Sequence, residues 1–369
     1  MSTTKPRIDW VDYSKGVCII LVVLMHSTLG VEKAAGGVSW LHGFIDWARP
    51  FRMPDFFFIS GLFLASRIDR PWRDYLDKKL IHFGYFYLLW MTLQVLAHAP
   101  SILTEHGAAG LAQAWASGLV EPSGTLWFIY MLAVFFIGAK LLRNLNLALV
   151  LGAGAGLQML HIDTGWLVID EFAARFVYFY AGYVFAGAAF RLAARVDAKP
   201  ALPMLAALTL WASANALAVF FGYAQLPGVG LALGFAGTAA VIAAGVLLAK
   251  TRLAAPLRYC GQNSIVIYLA FFLFMAAARV LLLRYAPHLN LSAIAILTTA
   301  AGVTGPLVLH RVTRSTRFGL LFQRPRWARL TPGGALEATR LAQRLARLGL
   351  SDTVHKTARS SPSQLVLTV

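Results

Sequence analysis

The sequence predicts an all-α integral membrane protein with about ten transmembrane helices and both termini in the cytoplasm. Three observations carry this. First, 58% of the 369 residues are hydrophobic and only 13% are charged, against roughly a quarter charged in soluble domains. Second, the apolar residues fall into runs at about 16–34, 44–66, 80–99, 124–142, 145–161, 172–190, 201–221, 228–249, 263–285 and 291–311, each read as a span. Third, basic residues occupy alternate connections. Lys5, Arg7 and Lys15 precede the first run. Arg67, Arg70, Arg73, Lys78 and Lys79 follow the second, Lys140 and Arg143 the fourth, and Arg191, Arg195 and Lys199 the sixth. Lys250, Arg252 and Arg258 follow the eighth, and Arg311, Arg314 and Arg317 the tenth. The intervening connections hold little basic charge, and the longest, 100–123, has no Lys or Arg. The positive-inside rule puts the basic set in the cytoplasm.

The formal net charge of +17 would suggest nucleic acid in a soluble protein. Here it is expected to face anionic membrane lipids. No RNA-binding or zinc-finger pattern accompanies it, so nucleic acid is not an expected partner. Two cysteines, Cys18 and Cys260, make no disulfide framework. The first run follows a basic leader but lacks a small-residue cleavage site, so it is read as a retained helix. The expected organisation is a transmembrane domain over 1–311 and a basic cytoplasmic tail over 312–369. Within the tail, 335–350 reads as an amphipathic helix with Leu341, Leu345 and Leu348 beside Arg340, Arg344 and Arg347. It lies on the inner leaflet or in solvent, and 351–369 reads as disordered.

In chain order, the first span carries the lone histidine His26. It lies eleven residues beyond Lys15, about three helical turns or ~16 Å, so both share one face. An ionisable group at mid-membrane is a functional candidate by default, although a histidine there can also simply bond a neighbouring helix. The second span carries Arg49, Arg52 and Asp55 at spacings of three, with Pro50 and Pro54 interrupting its backbone bonds. Arg52 and Asp55 either neutralise each other or line a polar cavity with His26. Ser123 is the expected N-cap of the fourth span, and composition favours an interfacial site for Trp127. Gly152, Gly154 and Gly156 mark the fifth span as closely packed. The sixth carries Arg175, Tyr178, Tyr180 and Tyr183. Asp163, Asp170 and Glu171 before it read as a solvated acidic loop. No phosphate loop, HExxH, CxxC or GxSxG pattern occurs, so no metal site is expected.

Four blocks together resemble the acyltransferase-3 family of bacterial membrane proteins, above all its sugar O-acetylase (fucose 4-O-acetylase-like) branch. They are Asp9-Trp10 through Lys15-Gly16 to His26; Met53-Pro54 with Phe56-Phe57-Phe58-Ile59-Ser60-Gly61; Gly124-Thr125-Leu126-Trp127-Phe128; and Gly261-Gln262-Asn263-Ser264-Ile265-Val266-Ile267-Tyr268-Leu269. The sequence departs from the family pattern in having Lys15 for an arginine, Arg52 for a histidine before Met-Pro, and Phe271 and Phe272 where another histidine often stands. His26 is left as the main catalytic candidate.

The resemblance implies transfer of an acyl group, usually acetyl, from cytoplasmic acyl-CoA to a hydroxyl of a glycan or lipid-linked sugar. Acyl-CoA is then a co-substrate, and no bound cofactor is expected. His26 is expected as general base, Arg52 as oxyanion stabiliser and Asp55 as the group orienting His26. A covalent acyl-histidine is an open alternative. Lys15, Arg67, Arg70, Arg73, Lys78 and Lys79 are expected to hold the phosphates of CoA. Ser60, Trp127, Tyr180, Asn263 and Ser264 are expected to line the substrate pocket. The rival reading is a secondary transporter or exporter of a sugar or small anion, although the sequence shows no inverted repeat.

Overall fold

A computed structural model describes residues 8–122, 124–251 and 254–330. Lys5, Arg7, Ser123, Arg252 and the tail segments 335–350 and 351–369 lie outside the described residues. The described chain is all-helical: α1 (Asp9–Ala35), α2 (Leu41–Gly61), α3 (Trp72–Leu76), α4 (His82–Val120), α5 (Trp127–Leu141), α6 (Leu147–Met159), α7 (Leu167–Val184), α8 (Ala186–Asp197), α9 (Ala201–Phe220), α10 (Val229–Ala249), α11 (Ala255–Gln262), α12 (Ser264–Tyr285) and α13 (Leu291–Thr313). One π-helical turn, Asp77–Ile81, joins α3 to α4.

Every apolar run read from the sequence meets a helix, but not every helix is a plain span. Among the described residues, seven helical stretches are long and apolar enough to cross a membrane, or eight if α7 and α8 count together. The chain is therefore a multi-pass membrane protein with fewer clear spans than the ten expected. α2 falls short because Asp46, Arg49, Arg52 and Asp55 interrupt it. α6, at 13 residues, is only about 20 Å long. The run 172–190 is not one straight helix, because the chain bends by 72° between α7 and α8.

The largest departure is at 100–123. Instead of an irregular connection, the chain stays helical, reverses at Gly107 and runs back along α4. Gly107 has φ 63° and ψ −168°, a conformation essentially reserved for glycine. Trp115 Nε1 donates to Thr92 Oγ1 at 3.0 Å, and Tyr87 Oη donates to Gly118 O. The returning arm, 108–120, therefore ends beside Tyr87 and Met91 in the first turns of α4.

α1 is the central helix, packed by α2, α10, α11, α12 and α13. Its closest approach is to α11. A Cβ on Gly16 would lie 2.2 Å from Leu257 O, and one on Gly261 1.7 Å from Asp12 O. Only glycine permits backbones so near one another. Gln262 Nε2 donates to Asp12 Oδ2 at 3.1 Å, and Arg258 pairs with Asp9 at 2.6 Å.

The basic connections gather at one end of the bundle. The buried Lys140 donates to Ile68 O and to Arg70 O. Lys250 Nζ donates to Asp197 O at 2.6 Å. Residues 314–330, assigned by sequence to the tail, pack against the start of α4. Arg324 pairs with the buried Asp77 at 2.9 Å, Trp90 Nε1 donates to Leu321 O, and Arg73 donates to Leu330 O. At the far end, the buried Glu32 closes the α1–α2 turn by accepting from Ser39 N at 2.9 Å and bonding His42 Nδ1 at 2.8 Å.

Candidate active site

The Arg52 guanidinium is held between α1 and its own helix. Nη2 donates to Met25 Sδ at 2.8 Å, and Nη1 donates to Ile45 O at 3.2 Å. Pro50 within α2 removes one N–H from this stretch, the one that the Asp46 carbonyl would otherwise receive. Arg52 is thereby fixed beside Met25 and the neighbouring His26.

His26 and Arg52 line a cavity of about 240 Å³ with Met25, Trp127, Phe128, Glu171, Arg175 and Tyr268 among its walls. His26 is partly accessible to this space. Its ring packs on Phe271 with centroids 5.3 Å apart, and no protein group hydrogen-bonds to it among the described residues. Both ring nitrogens are therefore available to a ligand. Arg175 reaches the cavity from α7, tied to Glu171 through Nε at 2.5 Å, with its guanidinium carbon 5.9 Å from the centroid of the Trp127 ring.

Trp127 is thus a cavity residue at the start of α5. The returning arm delivers it there, and α12 fixes it. Tyr268 Oη donates to Thr125 O at 2.5 Å and accepts from Phe128 N at 3.1 Å. Gln94 Nε2 adds a bond to Thr125 Oγ1 at 2.9 Å. Phe128 in turn stacks on Phe56 of α2, centroids 4.7 Å apart and planes 11° from parallel. The irregular backbone before α5 borders protein and cavity, the setting in which a membrane tolerates it. The N-terminus of α5, Arg52 and Arg175 bring three sources of positive potential to one space, against one carboxylate, Glu171.

The other expected site residues divide. Asp55 is fully buried and turned toward α10, beside Thr238. Neither carboxyl oxygen has a hydrogen-bond partner, because Thr238 Oγ1 donates to Gly234 O at 2.9 Å instead. Asp55 neither pairs with Arg52 nor touches His26, so it does not orient the imidazole. Ser60 bonds back to Phe56 O. Tyr180 is buried against Phe176 and Tyr183. Asn263 bonds Tyr259 O at the joint between α11 and α12, and Ser264 is the first residue of α12. None of these four lines the cavity of His26. Arg175, Glu171 and Tyr268 do, although sequence reading left the first and last undiagnostic and put Glu171 in a solvated loop. Their signal was present: an arginine one helical turn after a glutamate, inside an otherwise apolar run.

Of the six cations expected to hold CoA, three converge. The side chain of Lys79, set by the π-helical turn, lies 3.8 Å from the centroid of the Phe136 ring and within electrostatic reach of Arg67 and Lys15. Arg73 is exposed and tied to Leu330 O, and Lys78 is exposed. Arg70 meets Lys140 through its carbonyl oxygen.

Comparison with known proteins agrees with this architecture. The acyltransferase-3 family model, described as "Acyltransferase domain", matches residues 8–311. A relative, "Inner membrane protein YcfT" of Escherichia coli (strain K12), is 27% identical over 228 residues, covering 55% of this chain and 63% of that protein. The match thus spans less than two thirds of that relative. No solved structure matches.

Proposed function

Because the chain belongs to the acyltransferase-3 family of membrane proteins, we propose that it moves an acyl group, acetyl above all, from cytoplasmic acyl-CoA to a hydroxyl of a glycan or lipid-linked sugar, with His26 as the base. The relative's description as an inner membrane protein supports the bacterial inner membrane as the location. The observation that carries the reading is the line from the basic end to the cavity. Lys15, Arg67 and Lys79 cluster at one end of α1, and His26 sits ~16 Å further along the same helix face, in a cavity shared with Arg52 and Arg175. That length suits an extended pantetheine arm with its phosphates at the cations and its thioester at the imidazole.

The step follows from the groups present. His26 takes the proton of the acceptor hydroxyl as its oxygen attacks the thioester carbonyl carbon. The oxyanion of the tetrahedral intermediate is stabilised by Arg52, already oriented by Met25 and Ile45, with Arg175 as a second cation. Collapse breaks the carbon–sulfur bond, and the CoA thiolate leaves with the proton from His26. The step uses no group at Asp55. The test is His26→Ala in purified protein supplied with acetyl-CoA and candidate sugars. Loss of transfer from a folded, monodisperse variant is expected. Transfer at near wild-type rate would overturn the mechanism, and counter-flow of unmodified sugar without thioester cleavage would favour transport.

A further inference from the structure

A second cavity lies on the other side of α2, at the far end from the basic cluster. It has a volume of about 470 Å³ and is walled by α2, α6, α7 and the turn after α9. Its polar lining is Asp46, Arg49, Gln158, His161, Arg175 and Gln225. Arg175 also lines the cavity of His26, so the two spaces meet at one side chain.

Three features mark this cavity as a ligand site. The first is a file of cations. Arg49 and Arg175 line this cavity, and Arg52, within the His26 cavity, lies in electrostatic range of both and of Asp46. Arg175 is paired with Glu171, and Asp46 lies 3.6 Å from His42, which is bonded more closely to Glu32. Arg49 has no hydrogen bond or ion pair among the described residues, and Arg52 is bonded only to a sulfur and a carbonyl oxygen. Arg49, which is exposed, is left without an ion pair among the described residues, while Arg52 has the Asp46 carboxylate in electrostatic range. Arginine grips carboxylate and phosphate in a two-pronged geometry. The second is Gln158, whose Oε1 is buried without a partner. Turned into the cavity, that oxygen would accept from a donor such as a hydroxyl. The third is His161, which has φ 47° and is the one residue other than glycine with positive φ among the described residues. Its ring Nδ1 is bonded to Met159 O at 2.9 Å, so the strained backbone holds the imidazole at the cavity wall.

We propose that this far-end cavity binds the acceptor, and that the acceptor carries an oxyanion, a carboxylate or a phosphate, beside its hydroxyls. The anion sits at Arg49, a hydroxyl donates to Gln158 Oε1, and a second hydroxyl passes Arg175 toward His26. The assignment of the occupant as acceptor rests on the acyl-transfer reading above. The binding chemistry does not.

The test measures binding of glucuronic acid, glucose 1-phosphate and glucose to the full chain in nanodiscs of zwitterionic lipid, without acyl donor. At least one of the two anionic probes is expected to bind roughly ten-fold or more tightly than glucose, as charge-assisted bonds allow. Which anion binds better identifies carboxylate or phosphate. Arg49→Gln is expected to abolish that preference and Arg49→Lys to retain part of it. Gln158→Leu, a separate probe of the same cavity, is expected to weaken binding of the preferred anionic probe. Equal binding of all three probes, or an anion preference that survives in R49Q, would overturn the site. A chain that binds the anion but transfers no acyl group would overturn the acyl-transfer reading and leave this site standing.

Discussion

Tyr268 holds the start of α5 through Phe128. The phenol of α12 accepts the Phe128 N–H at 3.1 Å while donating to Thr125 O. It joins the third and fourth sequence blocks across a separation of 140 residues. Tyr268→Phe keeps the ring packing and removes these bonds and the one from Ile129 N. Each buried group left without a partner costs ~1–3 kcal/mol. The variant is expected to unfold at lower temperature and to lose acyl transfer at least ten-fold through kcat, because Trp127 and Phe128 lose their fixed position. The KM for acyl-CoA should hold, since the basic cluster proposed to bind its phosphates is remote. Thermal unfolding with steady-state kinetics on both substrates checks this.

The basic cluster makes a different prediction. Lys15→Ala, Arg67→Ala and Lys79→Ala should each raise the KM for acetyl-CoA by roughly three- to thirty-fold, most at low ionic strength, where charges are least screened. A truncated thioester donor without phosphates should be indifferent to them. Lys78→Ala and Arg73→Ala, which change exposed side chains outside the cluster, should alter the KM less than two-fold. Equal effects on full and truncated donors would show that these side chains do not read the phosphates.

Packing at the α1–α11 crossing can be tested without substrate. Gly16→Ala places a methyl 2.2 Å from Leu257 O, and Gly261→Ala places one 1.7 Å from Asp12 O. Backbone must move in each case, at a cost of ~1–3 kcal/mol or more. Gly84→Ala and Gly152→Ala meet nothing within 4 Å and serve as controls, where alanine is expected to be neutral or to stabilise a helix by about 0.5–1 kcal/mol. Thermal melts of the four variants in one detergent should separate into these two pairs.

Hydropathy and charge alternation made much of this architecture legible in the sequence. Those signals are set by solvent, and each residue reports them alone. The cavity was only partly legible because it depends on helix phase and on contacts between distant residues. Arg52 and Asp55 look alike at a spacing of three, yet three residues turn a helix by about 300°. The ~60° left over turns Asp55 toward α10, while Arg52 faces α1. Trp127 has the composition of a belt residue. Its placement comes from the reversal at Gly107 and the bonds from Tyr87 and Trp115, which no local window contains. Glu171 reads as solvated until Arg175 is seen folded onto it. By contrast, His26 and Lys15 lie on one uninterrupted helix, so their relation survives from sequence to structure.

The docked segment 314–330 changes where this protein ends as a cooperative unit. The family likeness stops at residue 311, and a deletion drawn there would look conservative. It would remove the partners of the Asp77 carboxylate and the Trp90 indole together. An orphaned buried charge alone costs ~3–5 kcal/mol, comparable to the whole stability margin of many domains. The span shared with the family and the span tied together by buried contacts are therefore different lengths of chain, and a truncation should keep residues through Leu330.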